Sequence, residues 1–157
     1  MIVAFDGSPE AAEAVRTAAA LFRDHPLVVV SVWEPALAIS ESMMPVAGIG
    51  GANYNPPSAE QMENIDHARG DHARGAAEAG VQLASEAGAR AEALSVADES
   101  DVADSLLAVA AERDAAAVVV GARRMGRLKS ALLGSTSRRV LHEARCPVLV
   151  VRLPADG

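Results

Sequence analysis

The chain has 157 residues, half of them hydrophobic, and this length predicts one domain (1–157) with one buried core. Its formal charge of −7 at pH 7 argues against nucleic acid or an anionic membrane as a partner, because both bind to a basic surface. A single cysteine, Cys146, and the lack of an apolar run of the roughly 18 to 20 residues that span a membrane predict a cytoplasmic protein without disulfides.

Short β-branched runs alternate with alanine-rich stretches along the chain. Strands are predicted at 1–5, 27–33, 90–96, 116–121 and 147–153, and helices at 9–23, 59–88, 99–113 and 136–144. Three of the strand segments are continuously apolar, which is typical of strands that are buried on both faces of a parallel sheet. The alternation therefore predicts an α/β domain with a mostly parallel sheet and right-handed crossovers.

Two helices carry recognisable start signals. Ser8 is expected to cap the first helix, and either Asp98 or Ser100 is expected to cap the third. The apolar residues of the third helix recur at spacings of three and four, which predicts one stripe buried against the sheet: Val102, Leu106, Val109 and Ala110.

Residues 34–58 interrupt the alternation with a segment rich in proline and glycine. The connections of an α/β unit usually have about 2 to 6 residues, so this segment is unusually long. Two interpretations stay open: a disordered insertion, or an ordered lid or dimer contact that carries Met43, Met44 and Tyr54.

The repeat "DHARGDHARG" at 66–75 lies early in the second predicted helix. Its histidines, His67 and His72, are five positions apart and therefore point to different sides of a helix, and no cysteine or third histidine lies nearby. A solvated helix face is favoured over a metal site, and no metal ligand is predicted.

Ligands of an open parallel sheet bind beyond the carboxyl ends of its strands, where the strand order reverses. With the first strand at the centre, the loops "DGSPE" and "GARRMG" flank this crevice. The second loop resembles a P-loop, but Arg127 and Leu128 stand where that motif needs Lys and Ser or Thr. No dinucleotide or aspartyl-phosphate motif follows the first strand and no G-x-S-x-G occurs, so no catalytic residue is predicted.

The start of the last helix fits an anion-binding site better than the chain fits any of these catalytic motifs. This helix is expected to begin near a run of small and hydroxyl-bearing residues, whose backbone N–H groups and side chains would face an anion: Gly134, Ser135, Thr136 and Ser137. Gly121 ends the fourth strand, where the absence of a Cβ atom would give a ligand access to the backbone. Basic residues between 123 and 129 would neutralise a phosphate chain.

Each of these features also has a purely structural explanation. Ser135 can be a simple helix cap, and the basic residues can belong to a solvated loop. Asp6 can accept hydrogen bonds from a base or sugar, or it can form the turn before Gly7. Their coincidence at one predicted crevice favours the binding interpretation.

Three stretches resemble the universal stress protein family. "MIVAFDGSPEA" is similar to its first strand and acidic loop, "GARRMGRLKSALLGSTSRRVLHEA" to its nucleotide loop and last helix, and "CPVLVVR" to its final strand. The resemblance implies a flavodoxin-like, Rossmann-like three-layer sandwich with five parallel strands in the order 3-2-1-4-5. It also implies ATP, with Mg²⁺ considered as its accompanying ion, and a homodimer through the last strand, from Val148 to Leu153.

The resemblance further assigns site residues by position. It implies roles for Asp6 near the adenine or ribose, Val32 beside the base, Gly121 in the phosphate loop, and Gly134, Ser135 and Thr136 around the phosphates.

The loop departs from the family pattern at one position. ATP-binding members resemble G-x-x-G, nine residues and then G-S or G-T, and the spacing from Gly121 to Gly134 fits. Arg124, however, stands in place of the second glycine, and Gly126 follows two positions later. Arg124 would either strain the loop or hold the phosphates with its guanidinium.

The main hypothesis is a regulatory stress-response protein that binds ATP or a related adenine nucleotide and signals through occupancy. The alternative is a nucleotide-free dimerising module that acts through protein contacts. A slow ATP hydrolase is a third hypothesis, for which Asp6 is the only evident general base.

Overall fold

Five parallel strands form one sheet in the computed structural model, which describes residues 1–36, 57–98, 100–122 and 134–153. The strands are β1 (Ile2–Ala4), β2 (Leu27–Trp33), β3 (Ala91–Ala97), β4 (Val118–Gly121) and β5 (Val148–Val151). Their order across the sheet is β3-β2-β1-β4-β5, which confirms the flavodoxin-like arrangement. The strand order reverses at β1, so the crevice lies beyond the carboxyl ends of β1 and β4.

Helices cover both faces of this sheet. Within the described residues they are α1 (Pro9–Leu21), α2 (Ala59–Glu86), α3 (Val102–Glu112) and α4 (Ser135–Glu143). None of these described helices has both the length and the apolar character needed to cross a bilayer. The alternation of strands and helices confirms the predicted α/β class, with boundaries that differ by a few residues.

Two hydrophobic clusters separate the three layers. Neighbouring residues of a strand point to opposite faces, and Ile2 and Val3 accordingly belong to different clusters. Val3 packs with buried residues of α1 and α2, whereas Ile2 packs with α3 and with Val140 of α4. The central strands β1, β2 and β4 are therefore buried on both faces, as the continuously apolar strand segments predict.

The helix starts confirm one predicted cap and correct another. Ser8 caps α1, as predicted. At α3 the cap is Asp101, whose Oδ1 accepts a hydrogen bond from the N–H of Ala103 at 2.7 Å, and not Asp98 or Ser100. Asp98 instead accepts from the N–H of Ser100 at 2.9 Å, within the turn that precedes the helix. Because α3 begins at Val102, only the residue directly before it can reach the first-turn N–H groups.

The two copies of the repeat at 66–75 lie in different surroundings. In the first copy Asp66 accepts a hydrogen bond from the N–H of Ala36 at 2.6 Å, and Arg69 donates to the carbonyl of Glu34 at 2.8 Å. The second copy is mostly solvent-exposed, as predicted for the whole repeat. The first copy thus anchors the chain where it leaves β2, a tertiary role that the repeat pattern does not reveal.

Two further predictions concern a metal site and the segment 34–58. No group of three or more His, Cys, Asp or Glu side chains within the described ranges could hold a metal ion. Met43, Met44 and Tyr54, named for the lid or dimer contact, lie outside the described residues.

Candidate functional site

A cleft of about 240 Å³ opens at the carboxyl edge of the sheet, beyond the ends of β1 and β4. Its described lining comes from these strand ends, from β2, and from the N-terminal turns of α1, α3 and α4. Six of the eight predicted site residues line it: Asp6, Val32, Gly121, Gly134, Ser135 and Thr136. The other two, Arg124 and Gly126, lie outside the described residues.

Asp6 lies at the exposed side of the cleft, directly after β1. Its Oδ1 accepts a hydrogen bond from the N–H of Ser8 at 3.0 Å, and Gly7 between them has a φ of +80°. This left-handed conformation suits glycine, so the turn interpretation of Asp6 is confirmed. The turn also holds the carboxylate in place beside the cleft, so that the structural and the binding interpretations are compatible.

The start of α4 also lines the cleft. Gly134 is the N-cap and offers no side-chain hydrogen bond, whereas Ser8, Ser58 and Asp101 cap the other described helices. The interpretation of Ser135 as a cap is therefore wrong, because Ser135 is the first helical residue. A helix start carries unpaired N–H donors and a partial positive charge, both of which attract anions.

Ser137 ties the start of α4 to the end of β4. Its side chain is buried, and its hydroxyl donates to the carbonyl of Gly121 at 2.8 Å. This hydroxyl was predicted to face an anion, but it instead forms a hydrogen bond within the fold. The exposed hydroxyl of Ser135 and the half-buried one of Thr136 remain at the cleft.

Gly121 has a packing requirement that the sequence does not reveal. A Cβ atom built on it would lie 2.7 Å from the carbonyl carbon of Glu10 and 3.0 Å from the backbone nitrogen of Ala11. The space that a side chain would occupy is thus filled by the first turn of α1. The absence of a side chain at Gly121 therefore lets α1 approach β4, while Gly121 itself lines the cleft.

The inner wall of the cleft is apolar. Val32 of β2 lies there, half-buried, next to Val102 and Leu106 of α3. Both α3 residues belong to the predicted core stripe, and periodicity did not predict their position in the cleft, where Val102 is only half-buried. The signal was available, because the first turn of a helix that follows a parallel strand lies at the carboxyl edge of the sheet. A wall of this kind suits a flat, weakly polar ring.

Arg139 connects α4 to α3 beside the cleft. Its Nη2 lies 2.7 Å from Oδ1 of Asp104, its Nη1 lies 3.3 Å from Oδ1 of Asp101, and its Nε donates to Glu143 at 3.0 Å. The hydrogen bond that the guanidinium donates to Glu143, together with the attraction of Asp104, Glu143 and Asp101, raises the pKa of Arg139 above that of an ordinary arginine.

The chain matches a model of the universal stress protein family over residues 1–152. It is 31% identical to the universal stress protein YxiE of Bacillus subtilis, over 97% of this chain and 97% of that protein.

Solved structures of universal stress proteins share the fold. One from Archaeoglobus fulgidus, in complex with dAMP, is 23% identical over 96% of this chain and 94% of that chain, with a TM-score of 0.63. One from Arabidopsis thaliana with AMP bound is 19% identical over 99% and 92% of the two chains, with a TM-score of 0.61. Another, in complex with cAMP, is 21% identical over 96% and 94%, with a TM-score of 0.61.

Proposed function

Because the chain belongs to the universal stress protein family, we propose that its cleft binds an adenine nucleotide. The observation that supports this most directly is the meeting of three features in one cleft. These are the carboxylate of Asp6, the apolar wall around Val32, and the start of α4 with no capping side chain at Gly134. Relatives of the same fold hold AMP, dAMP and cAMP.

The three features match the three parts of a nucleotide. The adenine ring would pack against Val32 and Leu106, because burial of its faces removes weakly polar surface from water. Asp6 would accept a hydrogen bond from the ribose or from the base. The phosphates would lie at residues 134–136, where the N–H groups and the dipole of α4 favour negative charge.

ATP is the specific nucleotide within this proposal. The described lining encloses about 240 Å³, just below the roughly 300 to 1,000 Å³ of typical small-molecule sites, so a triphosphate would extend out of it. The described residues hold no metal-binding cluster, so Mg²⁺ accompanying ATP would take its ligands mainly from phosphate oxygens and water.

Occupancy rather than turnover would be the signal. Asp6 is the only ionisable side chain in the described lining of the cleft, which leaves few groups for proton transfer. A protein of this kind would change its partners according to whether nucleotide is bound, in keeping with a regulatory role in the cytoplasm.

The proposal includes a homodimer through β5. This strand is at the edge of the described sheet, paired only with β4, and Val148, Leu149 and Val150 are half-buried there. A sheet edge with apolar residues readily pairs with a second copy. Light scattering should then give about twice the chain mass of 16.1 kDa, whereas a value near the single mass would exclude the dimer.

Calorimetric titration tests nucleotide binding. AMP, and ATP with and without Mg²⁺, should bind saturably to the wild-type chain and raise its Tm. Gly134→Val should weaken AMP binding about tenfold or more, because its side chain enters the space beside the first-turn donors, each worth about 1.5–3 kcal/mol with an anion. Asp6→Asn, which keeps an acceptor for the turn at Ser8, should weaken binding of adenosine and AMP alike.

Gly75→Ala is the matched control, since a Cβ there meets no described atom within 4 Å and Gly75 does not line the described cleft. It should bind AMP as the wild type does. If no adenine nucleotide binds or raises the Tm, the nucleotide-free dimerising module becomes the better account.

A further inference from the structure

Two helix starts contribute to the cleft, and one side chain joins them. α3 contributes Val102 and Leu106 to the apolar wall, and α4 contributes residues 134–137 to the phosphate side. Arg139 of α4 reaches Asp101, the cap of α3, and Asp104 in the first turn of the same helix. This contact therefore links the two helix starts that line the cleft.

We propose that Arg139 is a positioning residue for nucleotide binding. It holds the start of α4 at a distance from α3 at which one nucleotide contacts both helices. The inference rests on the proposed function, because it assigns the phosphates to α4 and the base to α3. Arg139 is not itself part of the described cleft lining, so it would act through the position of the helix.

The small hydrophobic contact of α4 explains why polar contacts matter here. The helix has only nine residues, and just Ser137 and Val140 are buried. One valine anchors a helix weakly, and isolated helices of this length are marginal in water. The hydroxyl of Ser137 fixes α4 to β4, and the guanidinium of Arg139 fixes it to α3.

The shape of the guanidinium suits this task. Three of its nitrogens contact three carboxylates, those of Asp101, Asp104 and Glu143, and its side chain is 38% exposed. A planar fork with several fixed donors defines an orientation, which the single ammonium of lysine does not. Three carboxylates contact one guanidinium, whereas an isolated surface ion pair contributes little free energy.

For Asp104→Asn, electrostatic repulsion and the positioning role predict opposite changes in AMP affinity. The cluster of one guanidinium and three carboxylates has a formal charge of −2, which repels a phosphate. Asp104→Asn removes one of these negative charges, so electrostatic repulsion alone predicts tighter AMP binding. The positioning role predicts weaker AMP binding, because Asp104 makes the shortest contact with Arg139.

The experiment compares dissociation constants of AMP and adenosine by calorimetry. Asp104→Asn and Arg139→Gln should each weaken AMP about tenfold, since displaced donors no longer reach the phosphate, and should change adenosine less than about twofold. Arg139→Lys should restore only a minor part of the AMP affinity. Far-ultraviolet circular dichroism checks that each variant folds. If Arg139→Gln does not fold, the AMP and adenosine affinities of Arg139→Lys are compared with those of the wild type.

Arg113→Gln is the matched control. Arg113 follows α3 at its other end, and its Nη1 lies 2.6 Å from Oε1 of Glu92 on β3, with a comparable exposure of 47%. It removes an ion pair of the same helix without touching the cleft, so AMP affinity should stay unchanged.

Each of the following results would overturn the inference. These are tighter AMP binding by Asp104→Asn, equal losses for AMP and adenosine, and an Arg113→Gln loss as large as that of Arg139→Gln. Failure of the wild-type chain to bind AMP would instead reject the proposed function. Wild-type binding with unchanged affinities in both Arg139 variants would reject the positioning role alone.

Discussion

The packing of α1 against β4 makes a sharp prediction for Gly121→Ala. A Cβ atom there would lie 2.7 Å from the carbonyl carbon of Glu10, 2.8 Å from its oxygen and 3.0 Å from the nitrogen of Ala11. These are backbone atoms of a helical turn, so no side-chain rotation can relieve the overlap. The helix and the strand end must instead move apart.

The size of the effect follows from this geometry. To reach 3.4 Å, where ordinary van der Waals contact begins, the closest pair must separate by about 0.7 Å. Overpacking of this kind typically costs about 1–3 kcal/mol. The carbonyl of Gly121 also accepts the hydrogen bond from Ser137, so the displacement should disturb the start of α4. We expect a loss in the upper half of that range.

Urea unfolding followed by circular dichroism at 222 nm measures this loss. With a slope of about 1–3 kcal/mol per M, the midpoint should fall by about 1 M. Gly134→Ala is the matched control, because a Cβ there meets no described atom within 4 Å and φ is −58°. Alanine caps a helix less well than glycine, which lowers the stability, but it also reduces the entropy of the unfolded chain, which raises it. The two effects should nearly cancel, so that the stability of Gly134→Ala stays within about 0.5 kcal/mol of the wild type.

A stability of Gly121→Ala within about 0.5 kcal/mol of the wild type, about the margin of a surface substitution, would refute this reasoning. The same conclusion would follow if Gly121→Ala and Gly134→Ala were equally destabilised. In either case the close approach of α1 would not be what requires glycine at the end of β4.

Two further predictions concern packing and a buried hydrogen bond. Gly80→Ala should lower the free energy of unfolding by about 1–3 kcal/mol, because its Cβ would lie 2.6 Å from Cγ1 of the buried Val29. Gly75→Ala should instead raise the free energy of unfolding by about 1 kcal/mol, because alanine has the better helix propensity. A destabilised Gly75→Ala would contradict this contrast. Ser137→Ala should lower it by about 1–3 kcal/mol by leaving the carbonyl of Gly121 without this donor, and unchanged urea midpoints would show that water replaces the hydroxyl at no cost.

The sequence predicts the fold class because the relevant signals are local. Apolar runs of the right length, such as those that became β2 and β4, report burial on both faces without any knowledge of their neighbours. The cap at Ser8 is likewise local, since donor and acceptor are three residues apart. The strand order came from the family resemblance, and the observed sheet confirms it.

The cleft was predictable in part for a related reason. A parallel sheet brings the ends of β1 and β4 together wherever the order reverses, so Asp6 and the start of α4 could be assigned to one crevice from motifs alone. The caps of α3 and α4 could not be assigned in this way. Each depends on the residue at which the helix begins, and hydrophobic periodicity locates that residue only within a few positions.

The sequence by itself thus determined the order of strands and helices, the two-sided burial of the sheet and the chemistry collected at its carboxyl edge. Only the tertiary structure decided why Gly121 is a glycine, where the hydroxyl of Ser137 points and that Arg139 joins α3 to α4. The physical reason is the range of the interactions. Periodicity and capping act between residues a few positions apart, whereas a backbone contact between Glu10 and Gly121 exists only once distant segments have packed.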